Sequence, residues 1–587
     1  MRKKRMSPKG SGSFRKDRRE GVILFGLARK EKVKREGKKP EVRLRFHWKR
    51  LGITLAVLGI VGWLSCGAAL FFYFKTQRGY GEVSYFKMLI LPLRLDQHRR
   101  EMGDYFINRG IKEINEGEFR RGFHHLRSGL ARSPANAEAR LMLATIFNSP
   151  GFGERRLAIE ALAEGFRYAD KDPQVFSAQY IGFLFLLLSL DQQDQRAIEL
   201  ADELSSKVSD RETRAFLQIQ AVGAERKMGM FTAAYERLQR NQLQRSSQGL
   251  LLMARIFWQA GEPEWARYAL ERGVETFPRD RLLRRQLYEF LIQEEEWEKL
   301  LSHTSLRLLS RPDEDRSASA RLYAYSGLGM ENRILPSVRD LLSSSKNPAI
   351  AGWILQFAVK NKREDVAMEV FQHLQDADRV EVGHIASVSL VLARSENPQQ
   401  SLVFIGEIRE EKDLDLETMP ISAIEALAHQ RLGRESVALT KLQEALNVEN
   451  VPVDSYLLIA KSFEDAGFED FSRRVLARGL EEYPKERDLL TEMVSLTIEE
   501  QELGFTDYIE TLLSGRVPDR DFLEEIRVEL SSDQFLFLPN QGAIVQRIDE
   551  IIDESERLSS SMAIATSGTG NLELLEADAK REFFQSR

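Results

Sequence analysis

Cysteine is almost missing from this chain of 587 residues: the only one is Cys66. A disulfide framework and a cysteine-built zinc site are therefore excluded. There is no Asn-x-Ser/Thr acceptor either, since Asn148-Ser149-Pro150 has the wrong third residue. Together the two absences lean towards a bacterial envelope protein and away from an animal secreted one, where disulfides are common. Histidine is scarce, with 8 residues and no pair at His-x-x-x-His spacing. His124 and His125 are adjacent, so on a helix they point about 100° apart and share a metal poorly. The phosphate-cradling pattern Gly-x-x-x-x-Gly-Lys-Ser/Thr and the Gly-x-Ser-x-Gly elbow are both absent. Acidic runs such as Glu294-Glu295-Glu296 and Glu524-Glu525 read as solvated faces. With no nucleophile placed beside a base, the expectation is no enzyme, no catalytic residue, no metal and no cofactor.

One long apolar run is present. From Leu51 to Phe74 no charged residue interrupts LGITLAVLGIVGWLSCGAALFFYF. As a helix these residues would rise about 36 Å, enough to cross a hydrocarbon layer about 30 Å thick. His47, Trp48, Lys49 and Arg50 on one side, with Tyr73, Phe74 and Lys75 on the other, are the aromatic and basic anchors of an interface. The expected segment is an uncleaved signal anchor, longer than the apolar core of a cleavable signal.

Charge then orients it. Of 85 basic and 89 acidic side chains, residues 1–50 hold 20 and 5, which leaves 65 and 84 for the rest. The head is thus at +15 and the body at −19. Positive charge beside a span favours the cytoplasmic side, so the expected topology is a single pass through the inner membrane, head inside and body outside in the periplasm. Residues 1–50 read as a disordered or loosely helical basic head that touches anionic lipid head groups. Residues 75–98 read as a juxtamembrane connector that either stays near the bilayer or packs on the first helices. Nucleic-acid binding is not expected, because aromatic residues interleaved with the basic ones are few.

From residue 99 to 515 the texture becomes amphipathic helices of ten to fifteen residues between short turns, so the fold class is all-α. A repeat is visible when prolines are used as end markers. Before Pro278, residues Leu250, Ala254, Phe257, Ala266, Leu270 and Gly273 stand 28, 24, 21, 12, 8 and 5 positions earlier. The same offsets from Pro484 give Tyr456, Ala460, Phe463, Ser472, Leu476 and Gly479, and from Pro134 give Phe106, Gly110, Glu113, Gly122, Leu126 and Gly129. Small residues let paired helices approach, bulky ones fill the space beside them, and proline stops the unit.

This template resembles the tetratricopeptide repeat family, whose unit is about 34 residues. The resemblance implies a helical-hairpin superhelix, an α-solenoid with an extended concave face that binds proteins or peptides. It also implies that the first helix of each pair lines that face, which makes Arg109, Lys112, Arg255, Trp258, Lys461 and Glu464 the candidate protein-binding residues. Trp258 and Tyr268 are natural anchors, whereas Trp265 falls on a second helix and reads as packing. Phe106, Leu250 and Tyr456 stand where the family carries tryptophan. Ile107 and Ile111 replace the Lys and Asn of members that clamp a peptide's C-terminal carboxylate, so that mode is not implied. Residues 516–558 are expected to cap the last repeat, and 559–587 to form a flexible tail. The function expected is a membrane-anchored scaffold that recruits envelope proteins or peptides. The alternative is a transmembrane regulator that couples capture outside to the basic head inside.

Overall fold

Side-chain caps and glycines, more than the hydrophobic runs, punctuate the body. The computed structural model describes residues 22–23, 28–33, 41–46, 48–149, 152–311, 314–411, 414–499, 504–535, 538 and 540–567. Several first helices begin on capping side chains: Asn136 accepts from the Ala139 amide at 2.8 Å, and Asp280 from those of Leu282 and Leu283 at 2.8 and 3.1 Å. Most first helices end on a left-handed residue that turns the chain into the second helix. This is glycine at Gly117, Gly229, Gly261, Gly329, Gly433 and Gly467, and elsewhere Gln192, Glu295 or Lys362 at φ near 53°.

The chain divides into two compact units, Met1–Val175 and Phe176–Arg587. The first unit holds a three-stranded antiparallel sheet of Val22–Ile23, Ala28–Val33 and Glu41–Phe46. Over those three segments the disordered or loosely helical reading is corrected: Glu41-Val42-Arg43-Leu44-Arg45-Phe46 alternates apolar with polar, the period of a strand and not of a helix. Residues 1–21, where much of the expected lipid-contacting charge lies, fall outside the described residues.

The apolar helix Trp48–Phe72 continues through a π-helical turn, Tyr73–Gln77. It is long and apolar enough to cross a membrane, and almost all of it is exposed, unlike a buried core helix. The connector folds back along its end. Tyr85 Oη donates to the Leu64 carbonyl at 2.9 Å, and Leu89 lies where a Cβ on Gly67 would be. Tyr80 and Met88 are buried with Phe74, Met102 and Tyr105, so the connector packs on both its neighbours.

The first helix pair, Leu95–Asn115 with Phe119–Leu130, shows why small residues occupy the template. A Cβ on Gly110 would lie 2.7 Å from the Gly122 carbonyl, and one on Gly129 would lie 2.7 Å from the Gly103 carbonyl. Backbone meets backbone along two turns. A second pair, Ala137–Phe147 with Arg155–Ala163, follows.

The second unit is an α-solenoid of eleven helix pairs among the described residues, from Ala178–Leu190 to the last pair, Arg520–Leu530 with Gln541–Ser567. Ala254, Phe257, Ala266 and Leu270, and likewise Ala460, Phe463, Ser472 and Leu476, are all buried between their helices. Gly182 to Leu190, apolar yet too short to span, lies in a helix that buries Leu184, Phe185, Leu187 and Leu188.

The C-terminal segment does not simply cover the last repeat. It docks on the turns of the first three pairs of its own unit. Val517 N–H donates to the Lys227 carbonyl at 2.8 Å, and Gln259 Nε2 donates to the Val517 carbonyl at 2.6 Å. Thr232 N–H donates to Glu554 Oε1 at 3.1 Å, and Ser559 pairs with Glu262. Residues 559–567, expected in the tail, belong to the helix Gln541–Ser567, while 568–587 fall outside the described residues.

Gly110→Ala should therefore cost about 1–3 kcal/mol, read by denaturant unfolding, because the Gly122 carbonyl has nowhere to move. Gly352→Ala, a helical position with nothing within 4 Å, should be neutral or slightly stabilising. Equal effects at both would contradict the backbone contact.

Candidate functional site

First helices face inward. In the second unit, one cavity of about 790 Å³ is lined from the helices Ser247–Gln259, Arg281–Gln293, Asp315–Gly327, Ile350–Lys360 and Val453–Glu464. Its walls include Trp258, Tyr288, Tyr323, Trp353 and the cations Arg316, Lys360 and Lys461. A second cavity, about 360 Å³, shares Trp258, Gln286 and Gln293 with it. Its walls continue over Arg226, Lys227 and Arg255 to the docked segment around Arg516 and Asp519.

The rings are held in place. Trp258 donates through Nε1 to Glu294 at 3.1 Å and meets Phe290 edge-on at 5.0 Å between centroids. The Arg316 guanidinium stands 4.9 Å over the Trp353 ring, and Lys360 Nζ 5.9 Å over Tyr323. Burial pushes the Tyr323 phenol up to about 12. Arg255 donates both Nε and Nη2 to Gln286 Oε1, at 3.0 and 2.8 Å. Burial lowers its guanidinium and also that of Arg226, the latter to about 10.

Closure is charged at its centre. Asp194 is buried between Arg516, whose Nε is 2.9 Å away, and Lys227, whose Nζ is 3.6 Å away. Lys227 Nζ and Arg516 Nη2 also donate to the hydroxyl and the carbonyl of Ser189, at 2.6 and 2.5 Å. Burial lowers the Lys227 ammonium to about 8, with the Arg516 charge adding to it and Asp194 opposing it.

The six residues proposed from sequence separate. Arg255, Trp258 and Lys461 line these joined cavities, although 203 positions part Trp258 from Lys461. Glu464, one turn beyond Lys461, is exposed and belongs to neither wall. Arg109 and Lys112 lie in the first unit, paired along their own helix with Glu113 at 2.8 Å and Glu116 at 3.7 Å. Trp265 packs near Phe257, as a second-helix residue should. Sequence reading missed Arg226, Lys227, Arg316, Tyr323, Trp353 and Lys360. Arg255 and Lys461 share one offset from their prolines, 23 residues, and the missed positions belong to units whose ends offered no such marker. Among the described residues no group of three or more His, Cys, Asp or Glu side chains could hold a metal ion.

No protein-family model matches this chain, and no curated protein sequence matches it. Solved structures of helical-repeat proteins do. The pentatricopeptide repeat protein PPR10 from maize is 14% identical, with 77% of this chain and 65% of that one covered and a TM-score of 0.43. In that structure this chain spans slightly less than two thirds of the length of the chain it matches. The same protein in complex with an 18-nt psaJ RNA element is matched at 15% identity over 86% and 77%, with a TM-score of 0.40. Naa15/Naa10 bound to HypK-THB gives 12% over 90% and 80%, at 0.27. At such scores the likenesses carry no argument, and the solenoid stands on its own helix pairs.

The Lys227 shift has a definite sign. Its pKa is lower folded, about 8, than the 10.5 of a free lysine, so between these values the unfolded chain binds more protons and stability rises with pH. From pH 7 to 9.5 the wild type should gain about 2 kcal/mol relative to Lys227→Met, measured by urea unfolding at both values. Parallel pH dependences would show that the ammonium is not buried at the closure.

Proposed function

We propose that this protein is a membrane-anchored interaction scaffold whose second unit captures an extended segment of a partner protein in its interior. One observation carries the reading: first helices from several separate pairs bring three large rings, Trp258, Tyr323 and Trp353, and the cations Arg316, Lys360 and Lys461 onto one internal face. Aromatic and cationic side chains dominate interface energetics. Gln286, Gln293 and Gln356, on the same wall, can hydrogen-bond an extended backbone. The occupant that fits is a polypeptide segment bearing carboxylates. A nucleic acid fits less well, because the body that would have to steer it carries −19.

The remaining parts follow from composition. Repeats of tetratricopeptide type account for the small–large template. The exposed apolar helix would anchor the body at the inner membrane, and the +15 head would keep the N-terminus inside and the body in the periplasm. Anchoring raises the local concentration of whatever the interior holds. A regulator that signals through the span is the second reading. It is favoured by the free surface around Gly52, Gly59 and Gly62, which have nothing within 4 Å and could receive a second span.

A photo-crosslinking residue at Trp258 or Lys461 in the intact membrane protein should label polypeptide, and one at Glu435, on an outer helix, should label about tenfold less. Trp353→Ala combined with Lys360→Glu should remove the labelling. Labelling of nucleic acid, or equal labelling from both faces, would contradict the proposal. Deleting residues 1–45 should leave capture intact if the chain is a scaffold and abolish its output if it is a regulator.

A further inference from the structure

The first unit contains a cavity that the scaffold reading does not use. It holds about 630 Å³ and lies at one end of the first helix pair, between Asp96, Arg99 and Arg100 on one side and Arg127, Arg132 and Lys171 on the other. Buried Arg140 forms part of its floor. Arg140 is already committed, donating to the Pro134 and Ala161 carbonyls at 2.9 and 2.6 Å and pairing with Glu164 at 3.1 Å.

Glu164, the partner of Arg140, also lines the cavity; outside that pair the wall holds one carboxylate, Asp96, and five cations. Their contacts within the protein are to neutral groups. Arg99 reaches the Ala131 carbonyl at 3.4 Å, Arg132 bonds the Ser128 hydroxyl at 2.5 Å, and Arg127, Arg132 and Lys171 lie over the rings of Phe123, Phe106 and Tyr168. Among the described residues none of the five is paired with an acidic side chain. Burial, together with Arg78 and Arg99 nearby, lowers the Arg132 guanidinium below its usual range. Like charges gathered without counter-charge are costly unless an anion joins them.

The cavity's position indicates where that anion comes from. The connector lies along the end of the apolar helix, and its outer surface is greasy: Phe86 is 68% exposed, Leu93 88% and Leu95 60%. Such side chains beside a membrane span belong at the acyl boundary. Arg99 and Arg100 follow Leu95 by about one helical turn, a rise of about 6 Å along that helix, within reach of a phosphate whose acyl chains lie against those apolar side chains.

We propose that this cavity is a binding site for the phosphodiester headgroup of an anionic membrane phospholipid, taken from the leaflet on the body's side. Arginine suits it because its planar fork matches phosphate oxygens two at a time. The site is distinct from the basic head, which lies before the span. It rests on the reading of Trp48–Phe72 as a membrane helix.

The full chain, reconstituted in phosphatidylcholine vesicles with a minority of phosphatidylglycerol, tests it. A photo-crosslinker at Ala131, which lines the cavity, should label phosphatidylglycerol about tenfold more per molecule than phosphatidylcholine. Arg99→Gln with Arg100→Gln should bring the two lipids level. Arg120→Gln with Arg121→Gln, which removes equal charge at the other end of the pair, should change nothing. Free glycerol phosphate in excess should not compete, since it lacks the acyl chains held against the connector; full competition would overturn the lipid assignment in favour of a soluble phosphate ester. Alkaline carbonate extraction separates the two failures. A chain that washes off the vesicles overturns the span and the site with it, whereas a chain that stays but labels both lipids equally overturns the site alone.

Discussion

The docking of the C-terminal segment on the first turns of its own unit, centred on Val517, holds the second unit closed. The Val517 amide donates to the Lys227 carbonyl and the Val517 carbonyl accepts from Gln259, so the two peptide units that meet at Val517 are clamped between the turn ends of two repeats that precede it by more than 250 positions. A stacked array ordinarily needs polar caps because its terminal pairs expose an apolar face. Here the last pair supplies cover to the first ones. The turns of those first pairs are shaped for it. Gly229 and Gly261 adopt φ of 76° and 74°, and a Cβ on either would meet Val517 at 3.0 Å or Arg520 at 2.9 Å. Glycine is needed there twice over, for conformation and for approach.

Closure changes the chemistry of the inner face. In an open superhelix, first-helix side chains would look into bulk water. Behind Val517 the cations at Arg226, Lys227 and Arg255 are desolvated, which is why burial is the leading cause of each lowered pKa. Asp194 supplies the counter-charge for Arg516 and Lys227, and removing one partner of such a cluster strands the others. The same desolvation strengthens any contact between charges made on that inner face.

Much of the repeat was legible because its causes are local. Gly110, Gly122, Ala254 and Ala266 are small where helices touch, and Pro134, Pro278 and Pro484 stand in the turns that end their units. From these the pairing, and the inward side of Arg255, Trp258 and Lys461, could be read. Closure could not, since a contact between Lys227 and Val517 leaves no periodic trace. Nor could the division at Val175, or the cavity whose cations are scattered from Arg99 to Lys171 and converge only once two helix pairs have stacked. The strands of the head were missed for another reason. The abundance of Lys and Arg concealed the two-residue alternation of Glu41–Phe46.

The second unit is closed through Gly515–Asp519, a segment outside any helix in which the Val517 amide donates only to the distant Lys227 carbonyl. Hydrogen exchange of the full chain, read on the peptide spanning those residues, tests it most directly. Closure predicts that the Val517 amide exchanges as slowly as those of the adjoining helices. Exchange of the whole segment at the rate of unstructured chain would mean that the solenoid is open.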